Sequence, residues 1–193
     1  MHRRVAARAQ SGESILELGA GTLNHVPYES HYSRYDIVEP FEELWKDSAS
    51  LACITNRYKS IFDLPADALY DRVFSIAVLE HLTDLPVVLA RCRRMLAPGG
   101  IFQAGIPTEG GLLWGFGWRC VTGPAYRWRT GLDYSCLMRH EHVNRADEIS
   151  ALVRHFFGGV KVTRYPAPFY HLSFYSYLET PCRSRQLERE RTK

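Results

Sequence analysis

The sequence predicts a doubly wound α/β fold, in which a mostly parallel sheet carries helices on both faces. Strand and helix signals alternate from about residue 14 to residue 96. Residues 71–79 are almost wholly apolar, as expected for a strand that is buried on both faces rather than on one. Strands of this kind that alternate with helices are typical of parallel sheets with crossover connections.

Seven strand patterns follow one another along the chain. They cover residues 14–19, 35–39, 57–62, 71–79, 101–106, 160–165 and 172–179. The first is a short apolar run that ends in glycine, and the second ends at Pro40, which cannot donate to a strand ladder. Five strands in the alternating part and two more near the C-terminal end predict a sheet of seven strands.

Three segments carry apolar residues at helical spacing, and they cover residues 41–52, 85–96 and 144–157. The second stops at Pro98-Gly99-Gly100, which is a strong breaker signal. The third opens with acidic residues, which favour the first turn of a helix. The stretch 108–144 is rich in Gly, Trp, Tyr and Arg and shows no clean period.

The length and the net charge of the chain limit the number of domains and the classes of partner to be expected. A chain of 193 residues predicts one domain, here residues 1–182. Residues 108–144 are expected to form a lid or acceptor-binding insert, and the highly charged residues 183–193 a disordered tail. The formal net charge of +3 is too small to indicate a nucleic-acid partner.

Cysteine usage and the start of the chain predict a cytoplasmic protein. The five cysteines form no CxxC pair and are odd in number, which argues against a disulfide framework and for a reducing compartment. The first residues contain no apolar core of the kind that a signal peptide needs. No uninterrupted apolar stretch reaches the roughly 18 residues that indicate a membrane span.

A glycine turn follows the first strand and predicts a ligand site. Gly19 and Gly21 allow the backbone to turn sharply and to approach a ligand closely. A dinucleotide fingerprint needs a third glycine where Asn24 stands. It also needs a helix N-terminus aimed at the pyrophosphate, and residues 25–28 are a poor helix start. The pattern therefore favours a ligand without phosphates.

Two acidic positions at the ends of later strands indicate an adenosine ligand. Glu39 lies about 20 residues beyond the glycine turn, where a carboxylate can accept two hydrogen bonds from a ribose diol. The alternative is a surface carboxylate that caps the next helix. Asp63 follows the third strand and can accept from an adenine amino group, with Phe62 or Leu64 packed on the ring. Its alternative role is that of a turn former.

The motifs occur in a characteristic order. They read ILELGAG at 15–21, IVEP at 37–40, IFDLP at 61–65, YDRVFSIAVLEHL at 70–82 and RMLAPGG at 94–100. This series resembles the class I S-adenosylmethionine-dependent methyltransferases, and within them the type 11/12-like group that acts on small molecules. The resemblance implies a Rossmann-like methyltransferase fold of seven strands with the last strand antiparallel.

The same resemblance implies roles for individual residues. Glu17, Gly19 and Gly21 would line the methionine part of S-adenosylmethionine, and Ala77 its methionine end. Glu39 would hold the ribose and Asp63 the adenine amino group. Only about thirteen residues precede the first strand, whereas the family has helices there. Either the chain is a shortened form, or the stretch 108–144 covers the cofactor.

Methyl transfer from a sulfonium is an in-line displacement that depends mainly on alignment. A base is required only when the acceptor is a hydroxyl or a protonated amine. His81 follows the fourth strand at the open face of the sheet, and His142 lies near the end of the insert, so both are candidate bases. Structural roles are the alternative for both. A metal site at His140-Glu141-His142 is not expected, because no complete ligand set is evident.

The stretch 108–144 interleaves aromatic and basic side chains. They are Trp114, Phe116, Trp118, Tyr126, Trp128 and Tyr134, with Arg119, Arg127 and Arg129. Such a set suits a sugar or an anionic lipid, whereas a lid packed on its own aromatics is the plainer alternative. We therefore expect a small-molecule, sugar or lipid-linked acceptor. The competing hypotheses are a non-catalytic scaffold of the same fold and a nicotinamide oxidoreductase.

Overall fold

The structure is a computed structural model that describes residues 1–109, 111–134 and 140–181. Within these residues it contains seven strands, namely β1 (Ser14–Leu18), β2 (Arg34–Val38), β3 (Asn56–Tyr58), β4 (Tyr70–Ile76), β5 (Leu96–Pro107), β6 (Lys161–Pro166) and β7 (Ser173–Pro181). They form one sheet in the order β3-β2-β1-β4-β5-β7-β6. The predicted seven-stranded doubly wound sheet is confirmed.

Strand direction confirms the prediction of a mostly parallel sheet. β1 runs parallel to both β2 and β4, with Leu16 opposite Asp36 on one side and Val73 on the other. β7 is antiparallel to both neighbours, and its Leu178 pairs with Ala104 of β5 and Val162 of β6. The chain leaves β1 toward β2 and returns to β4 on the other side. This reversal opens a crevice at the carboxyl ends of the strands, where open α/β sheets bind ligands.

The described helices are α1 (His2–Ala6), α2 (Glu42–Trp45), α3 (Leu85–Met95), α4 (Leu112–Gly117), α5 (Gly123–Thr130) and α6 (Ala146–Phe157). A π-helical turn, Trp118–Thr122, joins α4 to α5. α6 begins where the Glu148 carboxylate accepts from the Arg145 amide at 2.9 Å, and it ends at Gly158, whose φ is +83°. No helix among the described residues is long and apolar enough to cross a membrane.

Both faces of the sheet carry buried apolar clusters, which explains why apolar and polar residues do not alternate along the strands. α3 and α6 cover one face, where Phe102 stacks on Phe157 with ring centroids 4.4 Å apart. The other face buries Val5 of α1 together with Ile15 and Phe74. Ile15 and Leu16 are neighbours on β1 but point into different cores, so both are apolar.

Local boundaries differ from the predictions where side chains cap the backbone. The strand predicted at 57–62 ends at Tyr58, because Ser60 and Asp63 cap a 3-10 turn over Ile61–Asp63. The helix predicted at 41–52 is shorter and splits into α2 and a 3-10 turn, since the Ser48 side chain accepts from the Ser50 amide. β5 begins directly after α3 and runs through the predicted breaker Pro98-Gly99-Gly100.

Residues 108–144 contain helical structure that the sequence pattern did not predict. α4, the π-helical turn and α5 follow without interruption from Leu112 to Thr130. The five-residue π-helical turn shifts the helical repeat, so a search at a single period misses the segment. The charged tail predicted at 183–193 lies outside the described residues.

Candidate functional site

A cleft of about 790 Å³ lies at the carboxyl ends of β1, β2 and β4. Its walls come from α1, the turns after β1, β2 and β4, and the 3-10 turn after β3. The cleft includes seven of the nine residues predicted from the sequence, namely Glu17, Gly19, Gly21, Glu39, Phe62, Ala77 and His81. Motifs that are far apart in the sequence thus meet at one opening.

The glycine turn forms the floor of the cleft. Gly19 has a φ of +67° and Gly21 a φ of +51°. Residues other than glycine rarely adopt this backbone conformation. A Cβ on Gly19 would overlap Val78 Cγ2 and lie 2.7 Å from Val78 Cγ1. Between β1 and β2 the chain forms only a 3-10 turn, Val26–Tyr28. No α-helix N-terminus therefore points at the cleft from this fully described connection.

Glu39 directly follows β2, and its carboxylate is buried and fixed by two backbone donors. Its Oε2 accepts from the Gly21 amide at 2.9 Å, and its Oε1 accepts from the Phe41 amide at 3.1 Å. A carboxylate has about four acceptor positions, so two remain beyond these bonds. The side chain is held in place before any ligand arrives, which lowers the entropic cost of binding.

Glu17 contributes a second buried carboxyl group to the wall. The Tyr35 hydroxyl donates to its Oε2 at 2.7 Å. Burial raises the pKa of Glu17 to about 8, although the hydrogen bond from Tyr35 acts in the opposite direction. The side chain is therefore protonated over much of the neutral range, and small changes near it alter its charge.

The other predicted cofactor residues differ in their placement. Phe62 is half exposed and lines the cleft. Ala77 also lines the cleft, and its φ is +55°. Asp63 does not line the cleft, because its carboxylate accepts from the Ser60 amide at 2.9 Å within its own turn. The turn-forming alternative thus describes the contact that Asp63 makes. Lys59 and Ser60 line the wall instead, and no motif pointed to them.

Two histidines meet at the mouth of the cleft. The rings of His81 and His142 are 4.6 Å apart, edge to face. His81 Nδ1 donates to the Glu141 carbonyl at 2.9 Å, and His142 Nδ1 hydrogen bonds to the Glu109 carboxylate. His142 does not line the cleft itself but stands behind His81. Each ring thus uses Nδ1 as its anchored nitrogen, which leaves Nε2 as the acceptor in the neutral form.

Two further carboxyl groups surround the histidine pair. Burial, together with a smaller effect of the nearby Glu109 carboxylate, raises the pKa of Glu80 to about 7. Burial also raises the pKa of Glu109, whereas the His142 imidazole opposes this shift. Glu109 was not predicted, because it lies 33 residues from His142 in the chain. Only the fold brings the two together.

A buried ionic network behind the cleft was also missed. Arg72 on β4 donates to Glu13 at 2.7 and 3.0 Å and to both carboxylate oxygens of Glu29. His25, which lines the cleft, contacts Glu29 at 2.6 Å through Nε2. The His2 ring of α1 is hydrogen bonded to the His25 ring, with 3.0 Å between their Nδ1 atoms. The signal available in the sequence was Arg72, which lies within a strand predicted to be buried on both faces.

Metal chemistry gains no support from the described part of the chain. No group of three or more His, Cys, Asp or Glu side chains there is arranged to hold an ion. His140, which the sequence pairs with His142, is exposed.

Comparisons with known proteins agree with this architecture. The family described as "Methyltransferase domain" matches residues 16–104, which run from β1 into β5. A probable S-adenosylmethionine-dependent methyltransferase of Mycolicibacterium smegmatis is 29% identical over 117 residues, which make up 56% of this chain and 43% of that protein. The chain spans less than half the length of the curated relatives that it matches.

Solved structures extend the similarity over nearly the whole chain. A methyltransferase of Thermotoga maritima, described as a possible histamine N-methyltransferase, has a TM-score of 0.65 at 17% identity, and the match covers 94% of this chain and 88% of that protein. The N-methyltransferase NodS of Bradyrhizobium japonicum, in complex with S-adenosyl-L-homocysteine, has a TM-score of 0.58 at 16% identity and covers 95% and 84%. At these identities the likeness shows the fold.

The strand order, the antiparallel β7 and the cleft at the switch point define a methyltransferase-type α/β domain. The motif series and the family match go one step further. In its motif series, in the family match over residues 16–104 and in its fold, the chain is similar to the class I S-adenosylmethionine-dependent methyltransferases.

Proposed function

We propose that this chain transfers a methyl group from S-adenosylmethionine to a small-molecule, sugar or lipid-linked acceptor. The observation that carries the proposal is the Glu39 carboxylate, which two backbone amides fix at the cleft wall beside the glycine turn. Its two remaining acceptor positions match the two hydroxyls of a ribose. Residues 1–182 are proposed to act as one domain in a reducing, cytoplasmic compartment.

The chemistry of the wall fits S-adenosylmethionine better than a dinucleotide. Glu17 and Glu39 present carboxyl groups to the cleft, and carboxyl oxygens can accept hydrogen bonds from the ammonium and hydroxyl groups of the cofactor. A pyrophosphate would instead require a helix N-terminus or a set of backbone donors. Phe62 offers an exposed ring against which adenine can pack. Glu17, Gly19, Gly21 and Ala77 are proposed to contact the methionine part.

The cofactor, when bound, supplies a methyl group on an activated sulfonium. The protein must then place the acceptor atom in line with the methyl group and exclude water. His81 stands at the cleft with Nε2 as its acceptor nitrogen, and His142 stands behind it with Glu109 on its Nδ1. This arrangement supports a general-base role toward a hydroxyl or ammonium acceptor. Asp63 is proposed only as the group that holds Phe62 in its turn.

Calorimetry with S-adenosylhomocysteine, S-adenosylmethionine and NAD tests the cofactor assignment. We expect saturable binding of the first two and none of NAD. Incubation with methyl-labelled S-adenosylmethionine and panels of hydroxylated, amino and lipid-linked acceptors tests the reaction. Binding without transfer to any acceptor would favour the non-catalytic alternative. Failure of the folded protein to bind either adenosyl ligand would overturn the proposal.

A further inference from the structure

Among the described residues, the contacts of the helical part of the insert with the rest of the protein lie along one side. This segment, residues 112–130, comprises α4, the π-helical turn and α5. The Trp114 ring lies against Tyr175 with centroids 6.2 Å apart, and the space above Gly117 is filled by the Phe174 ring. Gly111, just before the segment, lies against the backbone of Tyr170. β7 and the turn before it therefore cover the inner side.

The outer side of residues 112–130 carries a row of exposed side chains four residues apart. The row consists of Leu112, Phe116, Cys120, Pro124 and Trp128. Trp128 is 91% exposed, Leu112 72% and Phe116 65%. The π-helical turn has i→i+5 hydrogen bonds and therefore more residues per turn than an α-helix, which keeps a four-residue spacing near one face. We call this row the apolar stripe.

The charge beside the apolar stripe has one dominant sign. Residues 111–134 contain three arginines, Arg119, Arg127 and Arg129, and a single acidic residue, Asp133. Arg127 and Arg129 flank Trp128 on α5 and are exposed. A helix that presents aromatic and aliphatic side chains together with arginines has the composition that lies in the headgroup region of an anionic bilayer. Arginine and anionic headgroups supply the charge complementarity.

The apolar stripe begins at Leu112, three residues after Glu109, which contacts the histidine pair. β5 ends at Pro107, and Glu109 follows it with its contact to His142 before α4 begins. The Tyr170 hydroxyl donates to the Glu109 carbonyl and links the turn before β7 to the same corner. The Leu112 end of the stripe therefore lies near the histidine pair.

We propose that the apolar stripe and its arginines form a docking surface for an anionic lipid bilayer. Trp128 and Phe116 insert among the headgroups, and Arg127 and Arg129 bind their phosphates. Docking presents the cleft mouth to molecules held in the bilayer. The assignment of the acceptor rests on the proposed function: if the chain is the methyltransferase proposed above, its acceptor is lipid-linked.

Vesicle sedimentation with the full chain tests the surface. We expect binding to phosphatidylcholine vesicles that contain phosphatidylglycerol, and much weaker binding to phosphatidylcholine alone. The double variant Phe116→Ser, Trp128→Ser should bind at least about tenfold more weakly, because two inserted rings are lost. The variant Arg127→Gln, Arg129→Gln should lose about tenfold and most of the preference for anionic lipid. Val87→Ser on α3, which is also exposed, is the matched control and should bind normally.

Calorimetry with S-adenosylhomocysteine on the same variants separates the two proposals, since it reports folding and the cleft without the bilayer. Absence of vesicle binding by the native chain overturns the docking surface even where the cofactor binds. Equal vesicle binding by the double variant also overturns it. Self-association of the native chain that the double variant abolishes would assign the stripe to a second copy, and would equally overturn the proposal.

Discussion

The Gly21 amide donates a hydrogen bond of 2.9 Å to Oε2 of Glu39, and this bond ties the turn after β1 to the end of β2. The two residues belong to different motifs, 18 positions apart. Their contact means that the glycine turn and the proposed ribose acceptor form one preorganised unit. A change in either should therefore affect the other.

Replacement of Glu39 by glutamine should weaken S-adenosylhomocysteine binding about 10- to 100-fold. One oxygen becomes an NH₂ group that cannot accept from the Gly21 or Phe41 amide, and charge-assisted hydrogen bonds contribute about 1.5–3 kcal/mol each. Calorimetry measures the change. Glu43→Gln, an exposed carboxylate on α2, is the control. Native affinity in Glu39→Gln would show that the ribose is held elsewhere.

Replacement of Gly19 by alanine should abolish measurable cofactor binding and lower the melting temperature. The added methyl group overlaps the Val78 side chain and also meets a positive φ. Gly12→Ala is a matched control, since Gly12 has a φ of +78° but nothing within 4 Å of an added Cβ. That control carries only the conformational cost of roughly 1–2 kcal/mol. Equal behaviour of the two variants would argue against a close-approach role for Gly19.

Replacement of Arg72 by methionine should reduce the free energy of unfolding by about 3–5 kcal/mol, because Glu13 and Glu29 would remain buried without their cation. Urea denaturation measures the loss. Arg57→Met on the exposed part of β3 should change stability by less than about 1 kcal/mol. A triple variant that adds Glu13→Gln and Glu29→Gln should regain part of the stability. Continued instability of the triple variant would argue against unpaired charge as the cause.

The fold was largely predictable, because its signals are local. A buried strand such as β4 is mostly apolar, and Gly19 and Gly21 mark a turn that few other residues can form. Their position at the switch point follows from strand order alone.

The missing parts of the site depend on contacts between distant residues. Glu109 meets His142, and Glu29 meets Arg72, only after the sheet has formed. The Asp63 carboxylate accepts a hydrogen bond from the Ser60 amide, and a sequence motif does not reveal this contact. The helical insert was hidden because its π-helical turn breaks the repeat.

Replacement of Glu17 by glutamine should stabilise the protein increasingly as the pH rises. The folded-state pKa of Glu17 is about 8, above its ordinary value of 4.5. The native side chain thus favours folding fully below pH 4.5 and loses that contribution as the pH rises toward 8. Glutamine keeps an acceptor for the Tyr35 hydroxyl but does not ionise. Thermal melts at a series of pH values measure the difference between the variant and the native chain.

The difference in melting temperature should become more positive across that window, whereas Glu43→Gln should give a constant difference. Glu80 and Glu109 remain in both proteins, so their ionisation cancels in the comparison. A difference that does not depend on pH would show that Glu17 is ionised in the folded protein throughout.

Replacement of His142 by glutamine should lower kcat about 10²- to 10⁴-fold if the acceptor must lose a proton, because a general base contributes this range. His140→Gln, an exposed histidine two positions away, should leave kcat unchanged. Methyl transfer to the acceptor found by screening measures both rates. S-adenosylhomocysteine affinity should be native in both variants, since His142 does not line the cleft.

Variants of His81 distinguish whether His81 or His142 acts as the general base. If His81 takes the proton and His142 only holds its ring, His81→Gln should lose at least as much of kcat as His142→Gln, and the double variant should lose no more than His81→Gln. If His142 takes the proton, His81→Gln should mainly raise KM, because His81 then only lines the acceptor's path. Full turnover in both single variants would remove the histidine pair from the mechanism and would favour an acceptor that reacts without a base.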